Sequence, residues 1–297
     1  MSVYTPVYPA TIESLTLHGR QYQLRRWGRR DGPLLILLHG WMDCAATFQF
    51  MLDAAPASLL DYQLVAPDMR GFGGSDWASE SYYFPDYLAD LDAMLDALGG
   101  DTPVTLVGHS MGGIIACLYA GIRPERVRKL VSLEGFGLPA TQPDDAPARY
   151  RRWLDQRRVD AAIWPRADMA DMAQRVRRNS PGLSPQQSLW LATQLAEQRD
   201  GQVHYRADPR HKWVNPVLYR LEEAQACWRE VQARVLWLAA QETPMLKWLA
   251  ETPDQFAARR ACFASLDYAV LGHGGHNMHH DAPAEVAERI AVFLCAP

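Results

Sequence analysis

With 297 residues, of which 48% are hydrophobic and 22% charged, the chain can bury a large core and suits one α/β domain carrying an insertion. A formal net charge of −4 gives no electrostatic reason to expect a nucleic acid or an anionic membrane as partner. Five scattered cysteines with no CxxC pair read as reduced thiols, and "MSVYTPVYPATIESL" lacks the basic-then-apolar pattern of a secretory signal. A soluble, cytoplasmic protein with a small-molecule partner is expected.

In chain order, "TIESLTLHGRQYQLRRWG" shows two alternating runs around a turn at "HGR", which predicts an antiparallel hairpin at a sheet edge. Three short apolar runs follow: "LLILLHG" (34–40), "YQLVAPD" (62–68) and "PVTLVGHS" (103–110). Runs of this kind suit strands buried on both faces of a parallel sheet. The most apolar stretch, "PLLILLHG", is far too short to span a bilayer. "VRKLVSLEG" (127–135), "ARVLWLAAQ" (233–241) and "DYAVLGHGG" (267–275) add three more strands. Helical segments fall at about 84–99, 111–122, 252–264 and 283–295. Alternating strands and helices predict a mostly parallel central sheet with helices on both faces. The alternation fails over 138–230, which is rich in Arg, Trp and Pro, reads helical in pieces, and offers no convincing buried strand. Residues 1–137 and 231–297 are therefore assigned to the core, and 138–230 to an inserted helical cap.

Within "VTLVGHSMGGIIACLYA", Gly108, Ser110 and Gly112 form a G-x-S-x-G between an apolar strand and an apolar helix. A sharp strand-to-helix turn there presents the Ser110 hydroxyl at the carboxyl end of the sheet, near a helix N-terminus. A serine hydroxyl needs a base to take its proton, and the oxyanion formed on attack needs preplaced N–H donors. The Met111 amide directly after the serine is one candidate donor. The Trp41 amide, freed by the turn His39-Gly40, is the other, and only the backbone of His39 is expected to matter.

Four motifs in this order resemble the α/β-hydrolase family over nearly the whole chain: "LLHGW", "APDMRGFGGSD" (66–76), "GHSMGG" and "GGHNMHHDAPAEVAERIAVFL" (274–294). The resemblance implies the α/β-hydrolase fold with a cap, Ser110 as nucleophile, and His276, from the loop after the last strand, as general base. It implies structural roles for Arg70 and Asp76. The family takes its triad acid from one of two places, which Glu134 in "KLVSLEGFGLP" and Glu242 in "LWLAAQETP" occupy here. "LEGFGLP" resembles the matching run of serine-hydrolase-like proteins and, more distantly, haloalkane dehalogenases. That favours Glu134, with Glu242 as the alternative acid.

His273, His276, His279 and His280 have spacings that would suit metal ligands on a helix, but the two glycines before His276 oppose a helix there. No metal and no cofactor are expected, and His279 and His280 are assigned as polar residues flanking the site. Ser110 points to acyl transfer: a serine hydrolase, carboxylesterase-like, acting on an apolar small-molecule ester through an acyl-enzyme. The alternatives are a C–C bond hydrolase or cofactor-free haloperoxidase on the same triad, or a non-catalytic ligand-binding protein. Trp153, Trp164, Trp190, Trp213 and Trp228 suggest an apolar pocket roof or simply the core of the insertion. "DPRHKWVNPVLYR" (208–220) is a candidate pocket lining. The arginines of "RYRRW" and "QRVRRN" read as a solvated face or as a site for an acidic substrate tail.

Overall fold

The computed structural model describes residues 4–78 and 80–296. Strands β1 (Thr11–Leu17) and β2 (Arg20–Gly28) pair antiparallel through a two-residue turn in which His18 and Gly19 both take positive φ, the geometry that matches strand twist in tight hairpins. β2 then pairs antiparallel with β4 (Gln63–Pro67). All other neighbours are parallel: β3 (Leu34–Leu38), β5 (Val104–His109), β6 (Val127–Leu133), β9 (Arg234–Ala240) and β10 (Leu266–Leu271). The order is β1-β2-β4-β3-β5-β6-β9-β10. This is the α/β-hydrolase fold, as expected. The central strands are buried throughout because helices cover both faces; β10 lies at the sheet edge, so much of it is only partly buried.

Two apolar clusters fill the spaces above and below the sheet. One packs Leu106, Leu130 and Trp237 against the helices Phe84–Gly99 and Met111–Ile122. The other packs Leu37, Val131 and Leu238 against the helix Pro283–Cys295. Arg70, buried, forks onto Asp90 and also meets Asp86 at 3.0 Å, tying the loop after β4 to the helix Phe84–Gly99. Asp76 accepts the Gln21 amide at 2.8 Å.

Residues 138–230 carry the helices Ala146–Gln156, Met169–Asn179 and Pro185–Leu195. They differ from the expected all-helical insertion in one respect: β7 (Ala196–Arg199) and β8 (Gln202–Tyr205) form a hairpin. Ala196 and Val203 are buried in it, but both strands are only four residues long and mostly polar, so no apolar run marks them. This segment has its own apolar cluster, including Met172, Val176 and Leu191, packed on Phe50. The helix Leu221–Arg229, in contrast, packs on Met111–Ile122, and its Trp228 belongs to the cluster under the sheet. Of the five tryptophans there, Trp164 is 84% exposed, while Trp190 packs edge-on to Tyr4 and Phe50. Among the described residues no helix is long and apolar enough to cross a membrane.

A close backbone approach lies where Met111–Ile122 leaves β5. A Cβ on Gly112 would stand 2.1 Å from the Leu38 carbonyl oxygen, and one on Gly108 2.3 Å from the Gly112 oxygen. Both neighbours are backbone and cannot swing away. Gly112→Ala is expected to cost at least about 1–3 kcal/mol through overpacking, read as a lowered urea midpoint, or to leave no folded protein.

Candidate active site

The loops after β3, β5, β6, β9 and β10 all leave the carboxyl end of the sheet, where open α/β sheets bind ligands. Ser110 sits between β5 and its helix at φ 50, ψ −115, outside the regions that L residues favour. It is held there by its amide, which donates to the Leu133 oxygen at 2.8 Å. The turn aims its Oγ at His276, whose Nε2 lies 2.9 Å away.

The His276 loop is anchored from three sides. His109 Nε2 lies 2.9 Å from the His276 carbonyl oxygen; a carbonyl only accepts, so this nitrogen carries the proton and donates. The Gly275 amide donates to Asp281 at 3.0 Å, and the Asn277 side chain donates to the Asn179 oxygen and Ser180 hydroxyl, each at 3.0 Å. On its far side, His276 Nδ1 stands 3.4 Å from Glu134 Oε2.

Glu134 is fully buried and takes φ 57 directly after β6. Its Oε1 accepts the Ala240 amide at 2.7 Å and its Oε2 the Thr243 hydroxyl, so the carboxylate is fixed independently of the imidazole. Glu242, one residue before Thr243, is exposed and makes no hydrogen bond to His276 among the described residues. Ser110, His276 and Glu134 thus form a continuous line, and Glu242 stands outside it. This arrangement can carry a proton from the serine to the imidazole and stabilise the cation that results.

Trp41 and Met111 border the cavity into which Ser110 opens. Met111 is the first residue of its helix, so its N–H lacks an intrahelical acceptor. That cavity, about 400 Å³, is walled by Phe84, Ile114, Trp213 and Trp248. Trp213 and its neighbours in 208–220 do line it, while Trp153, Trp164, Trp190 and Trp228 do not.

Several histidines depart from expectation. The His39 imidazole is fully buried: it accepts the Met69 amide at Nε2 (2.9 Å) and meets the Gly40 oxygen at Nδ1 (2.8 Å), so its side chain, not only its backbone, shapes this loop. His279 and His280, expected as polar residues flanking the site, are both buried and meet the Thr47 hydroxyl at 2.8 and 2.7 Å. They lie on the short helix Met278–Asp281, which begins only after the glycines and His276. His273 is exposed.

Sequence patterns missed Asp43, Asp68 and His109. Asp68 accepts the Ala45 and Gly74 amides at 2.7 and 2.8 Å and braces the loops after β3 and β4. Asp43, His109 and His279 offer ligand atoms within 4.8 Å of one another, the one such group found among the described residues. His109 Nδ1 and His279 Nδ1 are buried without a hydrogen-bond partner. Burial pushes the Asp43 carboxyl up to about 7, so the cluster can hold a proton, and its donor set would also fit a divalent ion. The three are far apart in sequence: Asp43 lies in the loop after β3, His109 ends β5 and His279 sits on the short helix Met278–Asp281.

The family model described as alpha/beta hydrolase fold matches residues 33–283. A serine hydrolase-like protein of Danio rerio is 28% identical over 278 residues, covering 90% of this chain and 83% of its own length. Serine hydrolase-like protein 2 of Homo sapiens is 26% identical over 291 residues, covering 91% and 89%. Among solved structures, the thioesterase domain from the curacin biosynthetic pathway superposes with a TM-score of 0.80 at 26% identity, covering 95% of this chain and 98% of that one.

The buried histidines link stability to pH. Desolvation lowers His280 to about 4 and His211 to about 3, and also lowers His39, His109 and His279. These groups stay neutral when folded but gain protons in the unfolded chain below about pH 6.5. Their contribution is therefore complete above that pH and is lost as pH falls toward 4 and then 3. Asp43, shifted upward, works the opposite way over roughly pH 4–7, but it is outnumbered. Unfolding free energy measured in urea is expected to fall from pH 7 to pH 4.5, with His280 alone contributing on the order of 3 kcal/mol once fully titrated. A flat profile would count against neutral buried histidines.

Proposed function

The chain belongs to the alpha/beta hydrolase fold family, and from that premise we propose that it is a serine hydrolase that cleaves a carboxylic ester, or a related acyl bond, of an apolar small molecule. The observation that carries the proposal is the line Ser110 Oγ to His276 Nε2 at 2.9 Å and His276 Nδ1 to Glu134 Oε2 at 3.4 Å. Ser110 Oγ attacks the carbonyl carbon and its proton passes to His276 Nε2. The carbonyl oxygen becomes an oxyanion that accepts the amide hydrogens of Trp41 and Met111. Collapse expels the alcohol, which takes the proton from His276 and leaves an acyl group on Ser110. A water that gives its proton to His276 then attacks the acyl carbon, and Ser110 Oγ leaves with the proton that His276 returns, releasing the acid.

Glu134 holds His276 in the tautomer with its proton on Nδ1 and stabilises the imidazolium. Its support by Ala240 and Thr243 favours it over the exposed Glu242. The names of the serine hydrolase-like relatives and the thioesterase neighbour support acyl-bond hydrolysis as the chemistry.

Treatment with a fluorophosphonate should give a single adduct, located on Ser110 by mass spectrometry, with loss of activity on a nitrophenyl ester. Full activity with Ser110 unlabelled would refute the mechanism. Glu134→Gln is expected to lower kcat on the order of 10³–10⁴-fold, while Glu242→Gln stays near wild type. The reverse pattern would transfer the acid to Glu242.

A further inference from the structure

Ser110 borders two cavities, one mostly apolar and one more polar. The larger is the aromatic chamber of about 400 Å³. The smaller, about 200 Å³, is lined by His276 together with Asp43, Arg175, Asn179, Tyr205 and Lys212. His276 borders the small chamber and not the large one. On the serine-hydrolase reading, on which this inference rests, that asymmetry assigns the two halves of the substrate. The imidazole that takes the serine proton must later deliver it to the leaving oxygen, so that oxygen has to lie within hydrogen-bond reach of Nε2. The leaving group therefore occupies the polar chamber, and the acyl chain the aromatic one.

Arg175, on the helix Met169–Asn179, marks what the polar chamber takes. Its guanidinium lies beside the Tyr205 phenol, and the residue borders the chamber. Lys212, on the turn Pro209–Lys212, adds a second cation at the rim. The chamber's one carboxylate is Asp43, so its two cations outnumber its acids. A guanidinium fork matches a carboxylate or phosphate better than a neutral hydroxyl. We propose that the natural leaving group is a small alcohol bearing an anionic group, held by Arg175, so that the substrate is an ester joining an apolar acid to such an alcohol.

The test compares three hexanoyl esters of similar size: one of 3-hydroxybutyrate, one of glycerol phosphate and one of neutral butanol. Wild type is expected to prefer one or both anionic esters in kcat/KM by roughly 10–100-fold, the range of one charge-assisted hydrogen bond. Whichever anionic ester leads identifies the carboxylate or the phosphate as the group bound. Arg175→Met should collapse the anionic-to-neutral ratio by a similar factor, and Arg175→Lys should restore part of it. Raising the salt concentration should erode the same ratio in wild type, which needs no variant. Equal rates for all three esters, or a ratio unchanged in Arg175→Met, would overturn the assignment. If none of the esters turns over, the serine-hydrolase reading fails instead. Calorimetry with the same esters on Ser110→Ala then still decides whether the chamber prefers the anion.

Discussion

The close approach of the helix Met111–Ile122 to β3 and β5 is the constraint on which the rest of the site depends. Backbone meets backbone there, with Gly108 and Gly112 leaving no room for a Cβ. Because the helix starts so close to the strand, the residue between them must take a strained conformation, which costs on the order of 1–3 kcal/mol. Ser110 takes it, at φ 50, and surrounding packing holds it there. A second strained residue, Glu134 at φ 57, follows the neighbouring strand β6. The two are linked directly, since the Ser110 amide bonds the last residue of β6. Adjacent parallel strands thus set the serine and the carboxylate in register, and the imidazole needs only to enter between them from the loop after β10.

That loop is held by polar contacts rather than by secondary structure, which explains its unusual histidine content. His276 alone keeps a partly exposed ring beside Ser110. His279 and His280 are buried behind it, share the Thr47 hydroxyl, and tie the start of the helix Met278–Asp281 to the loop after β3. His109, next to the serine, holds the His276 carbonyl. Buried imidazoles suit this task because each is neutral yet can both donate and accept, joining loops without burying a charge. The same burial makes the site's framework sensitive to acid.

Residues 138–230 contribute to both cavities beside Ser110. Its own apolar cluster rests on Phe50, so the helix Met169–Asn179 is fixed over the loop after β10 and brings Asn179 and Arg175 toward the serine. The stretch 208–220 reaches the other side with Trp213. Two chambers meet at Ser110: the aromatic one is walled mostly by residues outside 138–230, such as Trp41, Phe84 and Trp248, whereas the other takes about half its lining, Arg175 and Lys212 among it, from within that stretch.

The strands and the turn at Ser110 were legible in the chain because each depends on local chemistry, whereas His276 was reached only through the resemblance of "GGHNMHHDAPAEVAERIAVFL" to the last motif of the family. Apolar runs of strand length report burial, and glycines around a serine report a turn that side chains would block. The hairpin β7–β8 was not legible, since two four-residue polar strands carry no hydrophobic signal. Nor could spacing choose between Glu134 and Glu242: both follow a strand, and only the fold shows one buried against Ala240 and Thr243 while the other faces solvent. The roles of His39, His109, Asp43 and Arg175 belong to tertiary structure for the same reason. Each depends on a partner tens to hundreds of residues away or on an unsatisfied atom in a cavity. Sequence alone determines which segments can be buried and which turns are possible; which polar atoms then meet is decided only when separate loops converge at one end of the sheet.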